Sequence, residues 1–200
     1  IAVVEDYGDR WPAEEWAKLQ VKYPNLHTIY NSTPKGMRPN INAAAASAIS
    51  RGAKYLCKFD AHVMVPEGWD VTLKVDCDKD WIVVPRRKRL APETWTLQDV
   101  GKPDIDYHYL SFPDDPNDFG GPGLNGKVWY ERCKERLAIE LDDEMSSQGS
   151  GWFMHADYFN RLELMDEKSY GPFWSEFQEL GNKCWLSGGQ VKVNKKTWYA

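Results

Sequence analysis

Asp60-Ala61-His62 sets a carboxylate and an imidazole two positions apart. On an extended segment alternate side chains project to the same side. The pair can therefore offer a hard oxygen and a borderline nitrogen to one divalent cation such as Mn2+. A D-x-H triplet also arises by chance, and the same two residues can do no more than cap a helix or bond to each other. Further acids stand at Glu5-Asp6, and at Glu176 and Glu179, one helical turn apart. Lys35 and Arg38 flank Gly36, where a cation can meet a phosphate or simply face solvent. Arg86-Arg87-Lys88-Arg89 is a dense basic run, short but able to face a phosphate locally.

The elements that would position these groups follow from pattern. Ile1 to Glu5 reads as a buried strand running into a polar loop. Pro12 suits a helix first turn, Trp16, Leu19 and Tyr23 recur at helical spacing, and Pro24-Asn25 stops the helix. Leu26 to Tyr30 is a second strand, and 31–38 a loop with Pro34 and Gly36. The Ala-rich stretch Ile41 to Arg51 is a helix, because Ala is the best helix former. Tyr55 to Phe59 is the strand that delivers Asp60 at its tip, and Trp69 to Val75 a short helix before a strand over Trp81 to Val84. Residues 99–126, with four Pro and five Gly, read as one long irregular loop. Short strands are expected at Val128 to Tyr130, Leu137 to Leu141 and Trp152 to His155. Helices are expected near Asp157–Leu162 and over Phe173 to Leu186, with a closing strand at Gln190 to Trp198. Strand–helix alternation at these lengths argues an α/β fold with a mostly parallel sheet flanked by helices. In such sheets ligands collect beyond the carboxyl ends of the strands, where Asp6 and Asp60 both fall.

Composition narrows the function. Two hundred residues suit one domain. A formal charge of −5 leaves no electrostatic footprint for bulk nucleic acid. Ten Trp and ten Tyr supply faces that stack on sugar rings or bases, and equally fill a core. Cys57, Cys77, Cys133 and Cys184 lie far apart with no C-x-x-C pair, so reduced thiols and a cytoplasmic location are expected. No stretch reads as a membrane helix or signal peptide.

Five blocks in order, VVEDYGD, KGMRPNINAA, YLCKFDAHVMVPEGW, SGWFMHADYF and FWSEFQEL…CWLSGG, resemble the GT-A glycosyltransferases. The likeness is to the family 2 type and to the polypeptide N-acetylgalactosaminyltransferases, and it covers nearly the whole chain. It implies a Rossmann-like, nucleotide-diphospho-sugar transferase fold with a nucleotide-binding half over 1–98 and an acceptor and catalytic half over 99–200. It implies that Asp60 and His62 hold a metal, Mn2+ or Mg2+, that bridges to the donor diphosphate. Glu5, Asp6, Lys35, Gly36, Arg38, Asn42, Asp60 and Ala61 would line the nucleotide, with Ile41 standing where the family carries an Arg. Gln148 and Gly149 would meet the donor sugar, since glycine lets the backbone approach closely. Glu176 matches the acid that opens the family's catalytic helix, a general base in inverting relatives. Glu179 is a second candidate, and Trp174 a wall of the sugar pocket. The basic run after Val84 and the 99–126 loop would line the acceptor side.

The resemblance also implies a base-gripping strand before Ile1 and a third metal ligand, a His, just beyond Ala200; His155 and His108 are the candidates for that ligand within the chain. The expected function is metal-dependent transfer of a sugar from a nucleoside diphosphate donor, UDP foremost, to an acceptor hydroxyl. The alternatives are a non-catalytic carbohydrate- or nucleotide-binding module of the same fold, and a metal-dependent nucleotidyltransferase, which would want more carboxylates around the metal.

Overall fold

The structure, a computed structural model, describes residues 1–8, 10–98, 101–111, 125–170 and 175–200. In chain order the elements are β1 (Ala2–Asp6), α1 (Ala13–Lys22), β2 (His27–Asn31), α2 (Met37–Ser50), β3 (Tyr55–Phe59), α3 (Trp69–Val75) and β4 (Trp81–Arg87). There follow β5 (Leu90–Ala91), β6 (Thr96–Leu97), β7 (His108–Ser111), β8 (Asn125–Val128), α4 (Tyr130–Glu135) and β9 (Leu141–Asp143). The chain closes with β10 (Gly151–His155), α5 (Ala156–Arg161), α6 (Glu176–Leu186) and β11 (Gln190–Tyr199).

The central sheet has five strands in the order β3-β10-β4-β11-β9. β10 runs antiparallel to both its neighbours, β9 antiparallel to β11, and β4 with β11 is the parallel pair. β1 and β2 form a separate parallel pair. A groove of about 570 Å³ separates them from β3, and α2 lies across it with Ile41 and Ala45. The fold is α/β as expected, but its sheets are mixed rather than mostly parallel. The reason is the reversal of β10: its start, Gly151, sits opposite the end of β3 at Phe59. That register carries the loop before β10 to the tip that bears Asp60, where Asp60 N–H donates to the Ser150 carbonyl at 3.2 Å.

Side-chain alternation splits the core over both faces. Leu56, Ile82, Val84, Trp152 and Met154 pack under α2, α5 and α6, while Val83 and Phe153 face Leu73 of α3 on the other side. α2 starts at Met37, four residues before the Ala-rich stretch. Pro39 fits its first turn because those N–H groups have no helical partner. Its buried stripe, Arg38, Asn42 and Ala45, is two-thirds polar.

Other differences are local. Of the stretch 99–126 expected as one loop, the described part holds β7 and the start of β8, paired His108↔Val128 through Ser111↔Asn125, while 99–100 and 112–124 lie outside the described residues. Tyr130 opens a helix instead of ending a strand, and the strand expected from Leu137 begins only at Leu141. No described helix is long and apolar enough to cross a membrane. The four cysteines are free thiols.

Candidate donor and catalytic site

The site is assembled from the tip of β3, the loop before β10 and the first turn of α6. On β3, Leu56, Lys58 and Asp60 alternate toward the same side. Leu56 enters the core, so Lys58 is carried in with it and must find partners. Its ammonium donates to Asp60 Oδ1 at 2.7 Å, to the Gly149 carbonyl at 2.6 Å and to Glu176 Oε2 at 3.2 Å. All three N–H bonds of the ammonium are thereby used.

Glu176 is only 5% exposed. Trp152 Nε1 donates to its second oxygen at 2.8 Å. Burial pushes the Glu176 carboxyl above the usual carboxylate range, against the pull of the Lys58 charge and these hydrogen bonds. Ser175, just before it, holds a left-handed backbone at φ 54° without being glycine, a local strain at the mouth of the site. Gly149 is there for space: a Cβ would collide with the Glu176 carboxylate. A Cβ on Gly126 would lie 2.7 Å from Gln178 Nε2. Gln178 in turn donates to Ser146 Oγ and the Ser147 carbonyl, both at 3.1 Å.

These groups border a cavity of about 340 Å³, lined among others by Met37, Lys58, Asp60, Asn125, Gly149 and Glu176. Gln148 lines it too and accepts a hydrogen bond from Arg87 Nη1. Ser150, which lines the cavity, shares a 2.8 Å hydrogen bond with the buried Tyr199 hydroxyl, and burial pushes that phenol up to about 12.

The donor set admits a metal in part. Asp60 Oδ1 is taken by Lys58, while Oδ2 has no hydrogen bond among the described residues, and the His62 imidazole likewise has none. His62 is exposed and lines a neighbouring cavity rather than that of Asp60. No group of three His, Cys, Asp or Glu able to hold a metal occurs among the described residues. Asp60 Oδ2 and the His62 imidazole are of the right chemical types to ligate a divalent cation, but they border different cavities and are two side chains without a third. β11 ends beside this turn, Ala200 and Met64 exchanging backbone hydrogen bonds at 2.9 and 2.8 Å. His155 faces Cys77 and His108 faces Glu144, both away from Asp60.

Several expected site residues have structural partners instead. Asp6 accepts the backbone N–H groups of Lys35 and Gly36, each at 2.8 Å, and Asn31 Nδ2 at 3.0 Å. Desolvation alone would raise its carboxyl, yet these bonds hold it below its ordinary value. Gly36, at φ 84°, makes the turn that aims those amides at Asp6. Glu5 accepts the Trp11 N–H at 3.0 Å. Asn42 clamps the 165–167 segment through Met165 and Glu167. Arg38 and Glu179 bury each other at 2.8 Å, and Glu179 also receives Lys183 at 2.8 Å. Glu179 therefore serves the core rather than the cavity. Lys35 and Ala61 are exposed, and Trp174 lies outside the described residues.

Lys58, Trp152, Asn125 and Gln178 were not anticipated. Lys58 had a legible signal, a charge on the inward side of a strand. Trp152 looked like any core aromatic.

The mixed α/β sheet, with an acid at the tip of β3 and a carboxylate opening α6, is similar in fold to the GT-A glycosyltransferases. Among the solved structures it is similar to is one of GalNAc-T7 with UDP, GalNAc and Mn2+, with a TM-score of 0.76 at 18% identity over 99% of this chain. The chain spans 36% of that protein's length, and at such identity the likeness concerns the fold. Looser overlaps are to a mannose-1-phosphate geranyltransferase from Thermus thermophilus (TM-score 0.45, 12% identity, 100% of this chain and 60% of that one) and to HddC from Yersinia pseudotuberculosis (0.42, 11%, 99% and 69%). Neither overlap is close enough to bear on function. The sequence matches no protein-family model and no curated protein.

Proposed function

We propose that this chain transfers a sugar from a nucleoside diphosphate donor, UDP foremost, to an acceptor hydroxyl, with Asp60 and His62 holding a divalent cation. The observation that carries the reading is the Lys58 ammonium set between Asp60 and Glu176 in one cavity. When bound, the cation supplies Lewis-acid stabilisation of the leaving diphosphate. Lys58 adds a fixed positive charge on the same side, pre-aimed and costing no reorganisation. Glu176, its basicity raised by burial, accepts the acceptor proton, and Trp152 holds that carboxylate in place. Gly149 leaves room for the sugar beside them.

Hydrolysis of UDP-sugars tests this. Mn2+-stimulated release of UDP, lost in Glu176→Gln, is expected; metal-independent release unaffected by Asp60→Ala would sink the assignment. One observation favours a second reading, a non-catalytic binder of the same fold: Lys58 already occupies an oxygen of Asp60, and among the described residues two metal-compatible side chains stand there without a third. Tight UDP binding with no turnover on any UDP-sugar would decide for it.

A further inference from the structure

A second cavity, of about 380 Å³, adjoins the first, and His62, Arg87, Lys88, Arg89 and Trp95 line it. Its chemistry is lopsided. Among the described residues no acidic side chain lines it, and all three cations are half-buried. Elsewhere the partly or wholly buried arginines carry carboxylate partners: Arg38 has Glu179, Arg86 has Asp106, and Arg136 has Asp142. Within the basic run only Arg86 is neutralised in this way among the described residues, by two bonds of 2.8 and 2.7 Å. Arg87 spends a donor on Gln148, Arg89 on the Pro103 carbonyl, and the Lys88 ammonium sits 5.4 Å over the Trp198 ring. None of the three meets a described carboxylate. Crowding like charges in a concave, partly desolvated place is unfavourable unless an anion comes to it.

The rim adds a stacking surface. β5 and β6 form a hairpin whose turn presents Trp95 at φ 56°, left-handed for a bulky residue, with 47% of it exposed. Strain that keeps a large aromatic in solvent argues for a task there, and an indole face stacks well on a sugar ring. The Arg87–Gln148 bond forms the wall shared with the donor cavity, which places this site next to the transferred sugar.

We propose that this cavity is the acceptor subsite and that it takes an acidic sugar, a ring carrying a phosphate or a carboxylate. Trp95 stacks on the ring, and Lys88 with Arg89 meets the anion. The acceptor role rests on the transferase reading above; the preference for acidic sugars does not.

Calorimetric titration of the whole chain with glucose 6-phosphate, glucuronate and glucose tests it, with UDP titrated separately. Both acidic sugars should bind at least tenfold more tightly than glucose, and the tighter of the two identifies the anion. Lys88→Gln with Arg89→Gln should reduce that preference about tenfold, and Trp95→Ala should weaken all three sugars, with thermal midpoints showing that the variants fold. Equal binding of acidic and neutral sugars while UDP binds normally would overturn this inference alone. Displacement of glucose 6-phosphate by UDP would also overturn it, by making the cavity a donor seat. Acidic-sugar binding without any UDP binding would overturn the acceptor role together with the proposed function.

Discussion

Arg38 Nε and Glu179 Oε2 lie 2.8 Å apart with both side chains buried, joining α2 to α6 across 141 residues. The same carboxylate accepts the Asp166 N–H at 2.5 Å and the Lys183 ammonium at 2.8 Å, so it ties the segment before α6 to the helix. Glu176 takes its place in the cavity because α6 is anchored one turn later at Glu179.

Breaking a buried pair by removing one member costs about 3–5 kcal/mol, and because Lys183 and the Asp166 N–H still meet Glu179, removal of Arg38 belongs at the lower end of that range. Arg38→Met should therefore lower the urea midpoint strongly. Arg38→Met with Glu179→Met should recover part of the loss, as a double-mutant cycle would register. Simple additivity of the two losses would show that the pair is not coupled.

Gly149→Ala should disturb Glu176 specifically. The new methyl overlaps the carboxylate, which must swing away from Lys58 and Trp152. Overpacking of this sort costs about 1–3 kcal/mol. Turnover of a UDP-sugar should fall at least tenfold while the circular dichroism spectrum stays native-like. Unchanged turnover would remove Glu176 from the reaction.

Asp60→Ala should abolish any gain in UDP affinity on adding Mn2+, read by titration with and without EDTA. Two-ligand binding to the protein predicts a modest gain in the parent chain, and His62→Ala should lower it in the same direction. If Mn2+ strengthens UDP binding equally in Asp60→Ala, the cation sits elsewhere.

His108 and Glu144 form a buried pair at 3.3 Å whose members titrate in opposite senses. Burial, and then the Arg87 charge, pushes the His108 imidazole down to about 4 from 6.5. Between those values the unfolded chain binds the extra proton, so this contribution is complete above pH 6.5 and lost as the pH falls toward 4; it is worth about 3 kcal/mol. Burial raises Glu144 instead, so its contribution is present at low pH and lost as pH rises through the acid range of the unfolded carboxyl and above it. His108→Gln removes the first slope. The stability advantage of the parent over this variant, from urea unfolding, should shrink from pH 7 to pH 4.5. A constant difference across that range would mean that the imidazole is not held neutral.

Much of the scaffold was legible in short-range pattern. The alternation of Tyr55 to Phe59, the alanines of α2 and the apolar run of β10 mark strands and helices within a residue or a few, because periodicity encodes which side is buried. Asp60 at a strand tip was readable for the same reason, whereas Glu176 at a helix start came from the family resemblance, the pattern alone having placed that helix from Phe173. Partners were not. Lys35 and Arg38 look alike as loop cations, yet one is solvated and the other lies 1% exposed against Glu179, a contact no local pattern announces. Asp6 looked like a ligand-binding acid and is engaged by its own chain's amides.

The sequence by itself determined most of the strands and helices before Val84 and the tip position of Asp60, because short-range periodicity suffices for them. The tertiary structure decided the company those acids keep. By inserting β10 antiparallel between β3 and β4, it brought Gly149 and Trp152 to the tip of β3. It turned Lys58 from a strand residue into the cation between Asp60 and Glu176. Strand pairing is non-local, and hydrogen bonds between residues 91 and 118 positions apart depend on register that no nearby residue records.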